Sequence, residues 1–89
     1  MVQQMKSNKG NPVPNQLIIF TPDATFFQSY QSVIVKTTFE NGEKVVYLDE
    51  SKWDYSRTTA KYRNQFLGLT TKQIEANIKS GAFKLADLN

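Results

Sequence analysis

Three carboxylates that stand close together, Asp49, Glu50 and Asp54, are the first candidates for chemistry in this chain. Carboxylate oxygens are the ligands that hard divalent cations prefer. Their spacing matches no known cation-binding loop, and a hydrolytic site would need further ligands or a catalytic partner beside them. We therefore expect a solvated acidic turn here and no metal site.

The missing residue types narrow the function further. The chain has no cysteine and no histidine. This excludes disulfides, thiolate nucleophiles, zinc sites built from Cys and His, and the usual proton-transfer side chain near neutral pH. The four glycines are accounted for by turns, helix ends and the N-terminal segment, so no glycine-rich phosphate loop is present. We expect a protein that is not an enzyme and needs no cofactor.

The segment from Trp53 to Gly68 predicts the helix around which the rest of the chain is organised. Ser56 can act as its N-cap, and Gly68 can adopt the left-handed conformation that ends a helix. At about 100° per residue, one side of this helix is apolar and the opposite side is polar and basic. The apolar side comprises Thr59, Ala60, Tyr62, Phe66 and Leu67, and the polar side comprises Arg57, Lys61, Asn64 and Gln65.

The polar side carries the donor types that contact phosphates and base edges. Eleven Lys and Arg against eight Asp and Glu give a net charge of +3, which permits contact with nucleic acid or with an acidic protein. We therefore predict a binding surface on and around this helix, although a merely solvated helix face has the same composition. The candidate binding residues are Lys52, Tyr55, Arg57, Lys61, Asn64 and Lys72.

Arg63 falls within the apolar side of the same helix. A buried guanidinium without a partner is costly, so we expect an ion pair or carbonyl contacts. The candidate carboxylates are Asp49, Glu50 and Asp54. We assign Arg63 a structural role together with Trp53 and Phe66, while Trp53 remains open to the alternative role of an interface residue.

The first half of the chain predicts β-strands. Gln16 to Thr21 is a short apolar strand that ends at Pro22, a turn residue. The aromatic run Thr25 to Gln31 continues without a breaker into the β-branched run Ser32 to Phe39. We expect one long strand that bends near Ser32. A helix that starts at Pro22 is the alternative.

The pair Asn41-Gly42 is typical of a β-hairpin, with Lys44 to Asp49 as the second strand. A two-residue turn sets Glu40 opposite Glu43, so a looser four-residue loop is the alternative. If Phe39 lies opposite Lys44, one set of side chains shares the core face. This set is Val33, Val35, Thr37, Phe39, Val46 and Leu48, which leaves Ile34 on the other face.

The last part of the chain predicts a second helix and an extended tail. Thr70 and Gln73 form a capping box, so the helix runs from about Thr71 to Ser80 and ends at Gly81. The tail, Phe83 to Leu88, alternates apolar and polar residues and adds an edge strand or docks into the core. The chain therefore predicts an α+β fold: a small antiparallel sheet of meander or hairpin type, two helices and a short C-terminal extended segment.

Residues 1–15 are polar and contain two prolines, which predicts a flexible N-terminal arm before a single domain, 16–89. Lys6 and Lys9 would let this arm touch a phosphate backbone or a partner. The longest apolar run, Leu17 to Phe20, is far shorter than the roughly 20 residues of a membrane span. The N-terminus also lacks a signal-peptide core. We expect no membrane partner and a cytoplasmic location.

Three segments, FQSYQSVIVK, WDYSRTTAKYRNQFLG and NIKSGAFKLADLN, resemble small uncharacterised proteins encoded by phages and plasmids of Gram-positive bacteria. The shared pattern is an aromatic-S-x-T-T-x-K-Y-x-x-x-F-L-G helix and a K-S-G-x-aromatic-x-L-x-x-L-N tail, over about residues 26–89. The resemblance implies a mobile element in a bacterial cytoplasm and no particular activity. Small non-catalytic proteins of such elements are regulators, nucleic-acid binders or inhibitors of host machinery, by association only.

Two functions therefore stand as hypotheses. In the first, the protein binds DNA or RNA through the basic face of the helix at 56–67, with the arm and Lys79 as further contacts. In the second, it is a stoichiometric inhibitor or regulator of a host nucleic-acid or defence enzyme, of the anti-CRISPR kind. Exposed aromatics such as Tyr47, Tyr55 or Trp53 would then be its anchors. Self-association through the edge strand Phe83 to Leu88 is a third hypothesis.

Overall fold

A computed structural model describes residues 1–89, which form a six-stranded sheet with two helices packed on one of its faces. The strands lie in the sheet in chain order, and all neighbours are antiparallel except the last pair, which is parallel. The two helices form the crossover that a parallel pair requires. The predicted α+β fold is thus confirmed. The elements are β1 (Val2–Lys6), β2 (Pro12–Phe20), β3 (Ala24–Ser29), β4 (Ser32–Glu40), β5 (Glu43–Asp49), α1 (Arg57–Leu67), α2 (Thr71–Ser80) and β6 (Phe83–Ala86).

The N-terminal segment differs from its prediction as a flexible arm, 1–15. Residues 2–6 form β1 along the edge of the sheet, where Val2 lies opposite Ile19 and Gln4 lies opposite Leu17. Met5 is buried, with 4% of its surface exposed. A strand pair is held by backbone N–H and C=O groups whatever the side chains are, so the polar composition of this segment concealed it.

The region predicted as one long strand from residue 25 to residue 39 is a hairpin instead. The chain reverses at Tyr30-Gln31, and Ser29 lies opposite Ser32. Tyr30 has φ 58°, in the left-handed region where Asn and Gly are the usual residues. The turn therefore lacks the residues from which turns are normally predicted.

The hairpin predicted at Asn41-Gly42 is confirmed, with the two-residue turn. Both residues have positive φ, 54° and 82°, as this class of turn requires, and Glu40 lies opposite Glu43. Tyr47 donates a hydrogen bond from its hydroxyl to Glu40, so one of the two facing carboxylates has a partner.

The predicted core face of this hairpin is correct at its centre and wrong at both ends. Val35, Val46 and Leu48 are buried as expected. A register shift between β3 and β4 makes Val33 the residue opposite Gln28, and it is Ile34 that is fully buried while Val33 is only half-buried. Phe39, beside the Asn41-Gly42 turn, is 73% exposed. The shift reverses the alternation of side chains, which a strict period of two cannot anticipate.

The bounds of both helices are those expected from their caps. Ser56 Oγ accepts a hydrogen bond from the amide of Thr59, Thr70 forms a complete capping box, and Gly68 and Gly81 adopt left-handed conformations. In α1, Thr59 contacts Ser29 through their hydroxyls at 2.8 Å, and Phe66 stacks on Phe27 with 5.8 Å between ring centroids. In α2, Ile74 is fully buried. Helices on one side only leave the core small, with 15 of 89 residues buried.

Candidate nucleic-acid interface

The outer side of α1 carries three polar side chains in one line. Arg57, Lys61 and Gln65 are spaced four residues apart, which places them one above another on a helix, and all three are exposed. Gln65 Nε2 donates a 2.9 Å hydrogen bond to the carbonyl oxygen of Lys6, at the end of β1. We call Arg57, Lys61 and Gln65, together with Lys6 at the adjoining end of β1, the basic stripe.

No carboxylate offsets the charge of the basic stripe from within its own segments. Residues 1–22 and 55–74 contain no Asp or Glu, yet they hold six of the eleven basic residues. The structure has one ion pair, between Arg63 and Asp54. The hydrogen bond between Gln65 and the Lys6 carbonyl joins the two acid-free segments.

The six predicted binding residues divide into two groups. Tyr55, Arg57, Lys61 and Lys72 are exposed, Tyr55 to 47%. Lys52 is half-buried and donates from Nζ to Ser32 Oγ at 2.9 Å. Asn64 is half-buried too and is held by Arg63 and Thr71. The structure therefore places four of the six at the surface and directs two into internal contacts.

Prediction from the sequence missed the position of Lys6 beside α1, because it assigned Lys6 to a flexible arm. The signal that would have found it is the distribution of acidic residues. Two separate segments that both lack Asp and Glu are good candidates for one shared surface.

Arg63 is the buried charge of this region. Its guanidinium is fully buried and donates all five of its N–H groups. Nη1 donates to the carbonyl of Trp53 at 2.6 Å and to Asp54 at 3.0 Å, while Nε and Nη2 donate to Asn64, and Nη2 also reaches Thr71 Oγ1 at 2.9 Å. The expected ion pair is confirmed, with Asp54 as the carboxylate. Arg63 thereby joins the loop after β5, α1 and the start of α2.

Trp53 packs against the core and also borders a surface groove. The Arg63 guanidinium lies 5.2 Å from the centre of its ring. A shallow groove of about 410 Å³ runs between this ring and α2. The groove is lined by Trp53, Glu75, Ala76, Ile78 and Lys79. Trp53 thus has a structural contact on the Arg63 side and a surface contact available on the other.

The three neighbouring carboxylates do not act as a group. No cluster of three or more acidic residues that could hold a metal ion is present. Asp49 is buried, Asp54 pairs with Arg63, and Glu50 is exposed. Burial alone would raise the pKa of Asp49, but hydrogen bonds from the amide of Leu88, the side chain of Asn89 and the amides of Ser51 and Lys52 outweigh it, so the pKa is lowered. Asp49 therefore anchors the C-terminal residues to the end of β5.

The chain belongs to a family of unknown function, DUF8033, whose model matches residues 1–82. The match includes β1, both acid-free segments and both helices, and it stops just before β6. No curated protein and no solved structure matched the chain. Neither helix has the length and apolar content needed to cross a bilayer.

Proposed function

We propose that this protein is a non-catalytic nucleic-acid-binding protein that contacts the phosphate backbone of DNA or RNA through the basic stripe. The observation that carries the proposal is that the exposed Arg57 and Lys61 lie one turn apart on α1, next to the backbone of Lys6, and that none of these three cations has an ion-pair partner. When an unpaired Lys or Arg contacts a phosphate, it displaces counterions that were condensed on the nucleic acid. The release of these counterions is the main source of non-specific affinity. Gln65, between two of these cations, supplies a neutral hydrogen-bonding side chain.

Two exposed residues extend this surface. Tyr55 lies just before the N-cap of α1, and Lys72 lies in the first turn of α2. Tyr55 offers a ring on which an unpaired base can stack, and Lys72 offers a further phosphate contact. The segment resemblance to phage- and plasmid-encoded proteins of Gram-positive bacteria supports a mobile-element accessory role in the host cytoplasm for this activity.

The test is fluorescence anisotropy of labelled single-stranded and duplex oligonucleotides. We expect micromolar dissociation constants, as is usual for non-specific binding. With three phosphate contacts, affinity for duplex DNA should fall about 40-fold between about 50 and 200 mM salt. No binding at low salt contradicts the proposal, and so does binding that salt does not weaken.

A charge-matched pair of variants locates the surface. Arg57→Glu with Lys61→Glu should abolish binding, because it replaces two cations of the stripe by anions. Lys44→Glu with Lys84→Glu changes the net charge by the same amount at exposed sites outside the stripe and outside the predicted binding residues, and should retain most of the affinity. Equal losses in the two double variants would show that net charge alone is responsible.

A second function, inhibition or regulation of a host protein such as a nucleic-acid or defence enzyme, is favoured by the groove beside Trp53. A groove lined by Trp53, Ala76 and Ile78, with the charged Glu75 and Lys79 beside them, is typical of a pocket that receives an anchor residue of a partner. Because Trp53→Ala would also remove the contact with Arg63, the sharper variant is Ala76→Arg, which fills the groove from an exposed position. A host protein retained by the native chain and not by Ala76→Arg would support this function. Equal retention by both would contradict it.

A further inference from the structure

The sheet face that the helices do not cover is unusually apolar. In β2, Leu17, Ile18 and Ile19 follow one another, and in β3, Phe26 precedes Phe27. A sheet with one solvated face normally alternates apolar and polar residues. Ile18 and Phe27 pack with the core, while Ile19 and Phe26, which lie opposite each other, belong to the other face. This pattern is typical of strands that are covered on both sides.

One row of side chains crosses this surface, which we call the open face. Its members in strand order are Val2, Ile19, Phe26, Lys36, Tyr47 and Lys84. The ammonium groups of Lys36 and Lys84 lie 5.7 and 5.9 Å from the centre of the Tyr47 ring. Within this row, the part on β1 to β3 is therefore apolar and the part on β4 to β6 is aromatic and cationic, while Glu40 accepts a hydrogen bond from the Tyr47 hydroxyl beside it.

We propose that the open face binds a second copy of this chain. A two-fold axis parallel to the strands, between β3 and β4, would lay the apolar half of each copy on the cationic half of the other. Phe26 would then face the partner's Lys36, and Ile19 would face the partner's Tyr47. An ammonium group is attracted to the face of an aromatic ring, and the lysine stem packs on apolar surface. Such an interface is isologous, as in most homodimers.

The open face is large enough for this role. Six strands at about 4.8 Å and about six residues at 3.3 Å cover roughly 29 by 20 Å. Two such faces bury about 1,200 Å² together, which is the lower end of specific protein interfaces. The two sheets would form a sandwich with both helical layers outside. This inference is independent of the proposed function, because Arg57 and Lys61 lie on α1, on the helical side.

Sedimentation equilibrium of the full chain at micromolar concentrations tests the inference. The native protein should show twice the 10.2 kDa mass of one chain. Phe26→Asp should weaken dimerisation about 100-fold, as expected for a central aromatic. The control is Phe39→Asp, at an exposed aromatic outside the open face, and it should remain dimeric. Circular dichroism of each variant checks that it is folded. A native monomer overturns the inference, and so does a dimer that a folded Phe26→Asp variant retains.

Cross-linking tests the pairing of two open faces without the Phe26→Asp substitution. The chain has no cysteine, so single cysteines report specific contacts. A mixture of Phe26→Cys and Lys36→Cys proteins, treated with a short bismaleimide, should yield a cross-linked pair of the two variants. The mixture of Phe39→Cys and Lys36→Cys should not. If cross-linking is equal in both mixtures, or absent from the first, the copies do not meet through the open face.

The nucleic-acid titration remains separate from these measurements. A monomeric native protein that still binds oligonucleotides would contradict only the dimer. A dimer without nucleic-acid affinity would contradict only the proposed function.

Discussion

Arg63 shows at the scale of a single residue how the chain tolerates a buried charge. Its five N–H groups all donate, and its one carboxylate partner, Asp54, is 46% exposed. The ion pair alone is therefore partly screened by solvent, and the contacts with Trp53, Asn64 and Thr71 contribute much of the stabilisation. The helical periodicity located Arg63 within the packing side, and only its set of partners had to come from the structure.

Substitution of Arg63 by Lys tests this view. Lysine has one donor group in place of a planar fork, so it cannot reach Trp53, Asp54, Asn64 and Thr71 together. We expect Arg63→Lys to lower the free energy of unfolding by about 3 kcal/mol, measured by urea denaturation at constant protein concentration. The exposed Arg57→Lys is the control and should change it by less than about 0.5 kcal/mol. Equal stabilities for the two variants would mean that charge alone matters at Arg63.

Asp49 predicts a pH dependence. Its pKa in the folded state is lowered, so its stabilising effect is fully present above the unfolded value of about 3.9 and is lost as the pH falls through the folded value. Asp49→Asn would replace one of the two acceptor oxygens by an NH2 group, which cannot accept a hydrogen bond from a backbone N–H. It should cost about 2 kcal/mol at neutral pH. The difference from the native chain should shrink below about pH 4 in thermal unfolding at stepped pH. A difference that is constant with pH would contradict this role.

At the scale of elements, the sequence predicted what local chemistry encodes. Both helices and the Asn41-Gly42 turn carry their own signals, namely caps, a capping box and residues suited to positive φ, and all three were confirmed. The β1 strand and the turn at Tyr30 carry none, because one is held by backbone pairing and the other by neighbouring strands. The basic stripe combines an element that the sequence predicts with one that it does not. The predicted helix supplied Arg57 and Lys61, and only the position of β1 added Lys6.

Tyr30 therefore predicts a stabilising substitution. Its backbone has φ 58°, which is unfavourable for tyrosine. Because 48% of its surface is exposed, replacement of the side chain removes little packing. Asn adopts this conformation more readily, and Tyr30→Asn should raise the free energy of unfolding by about 0.5–1 kcal/mol. The melting temperature should rise by roughly 4 °C. Asn41→Ala, at the other hairpin, should change stability in the opposite direction. A lower melting temperature for Tyr30→Asn would show that the Tyr30 ring matters more than its backbone angle.

At the scale of the whole molecule, the proposals assign nucleic acid to the helical layer and a second copy of the chain to the open face. Arg57 and Lys61 place exposed charge on the helical side, and the strands with uninterrupted apolar residues leave the opposite side without a cover. Composition averages over both sides, so a net charge of +3 and an ordinary apolar content gave no sign of this division. The two surfaces can therefore be changed independently.

If both proposals hold, the dimer should bridge two nucleic-acid molecules. Two sheets and two outer helical layers, each spaced by about 10 Å, place the two basic stripes on opposite sides of the dimer, beyond the reach of a single short duplex. Bead-bound duplex loaded with native protein should therefore capture a second, fluorescent duplex. Phe26→Asp should bind the first duplex with unchanged affinity per chain and capture no second one. Arg57→Glu with Lys61→Glu should lose both steps and remain dimeric. Capture of the second duplex by a monomeric Phe26→Asp variant would place two nucleic-acid surfaces on one chain, and the division between the helical layer and the open face would then be wrong.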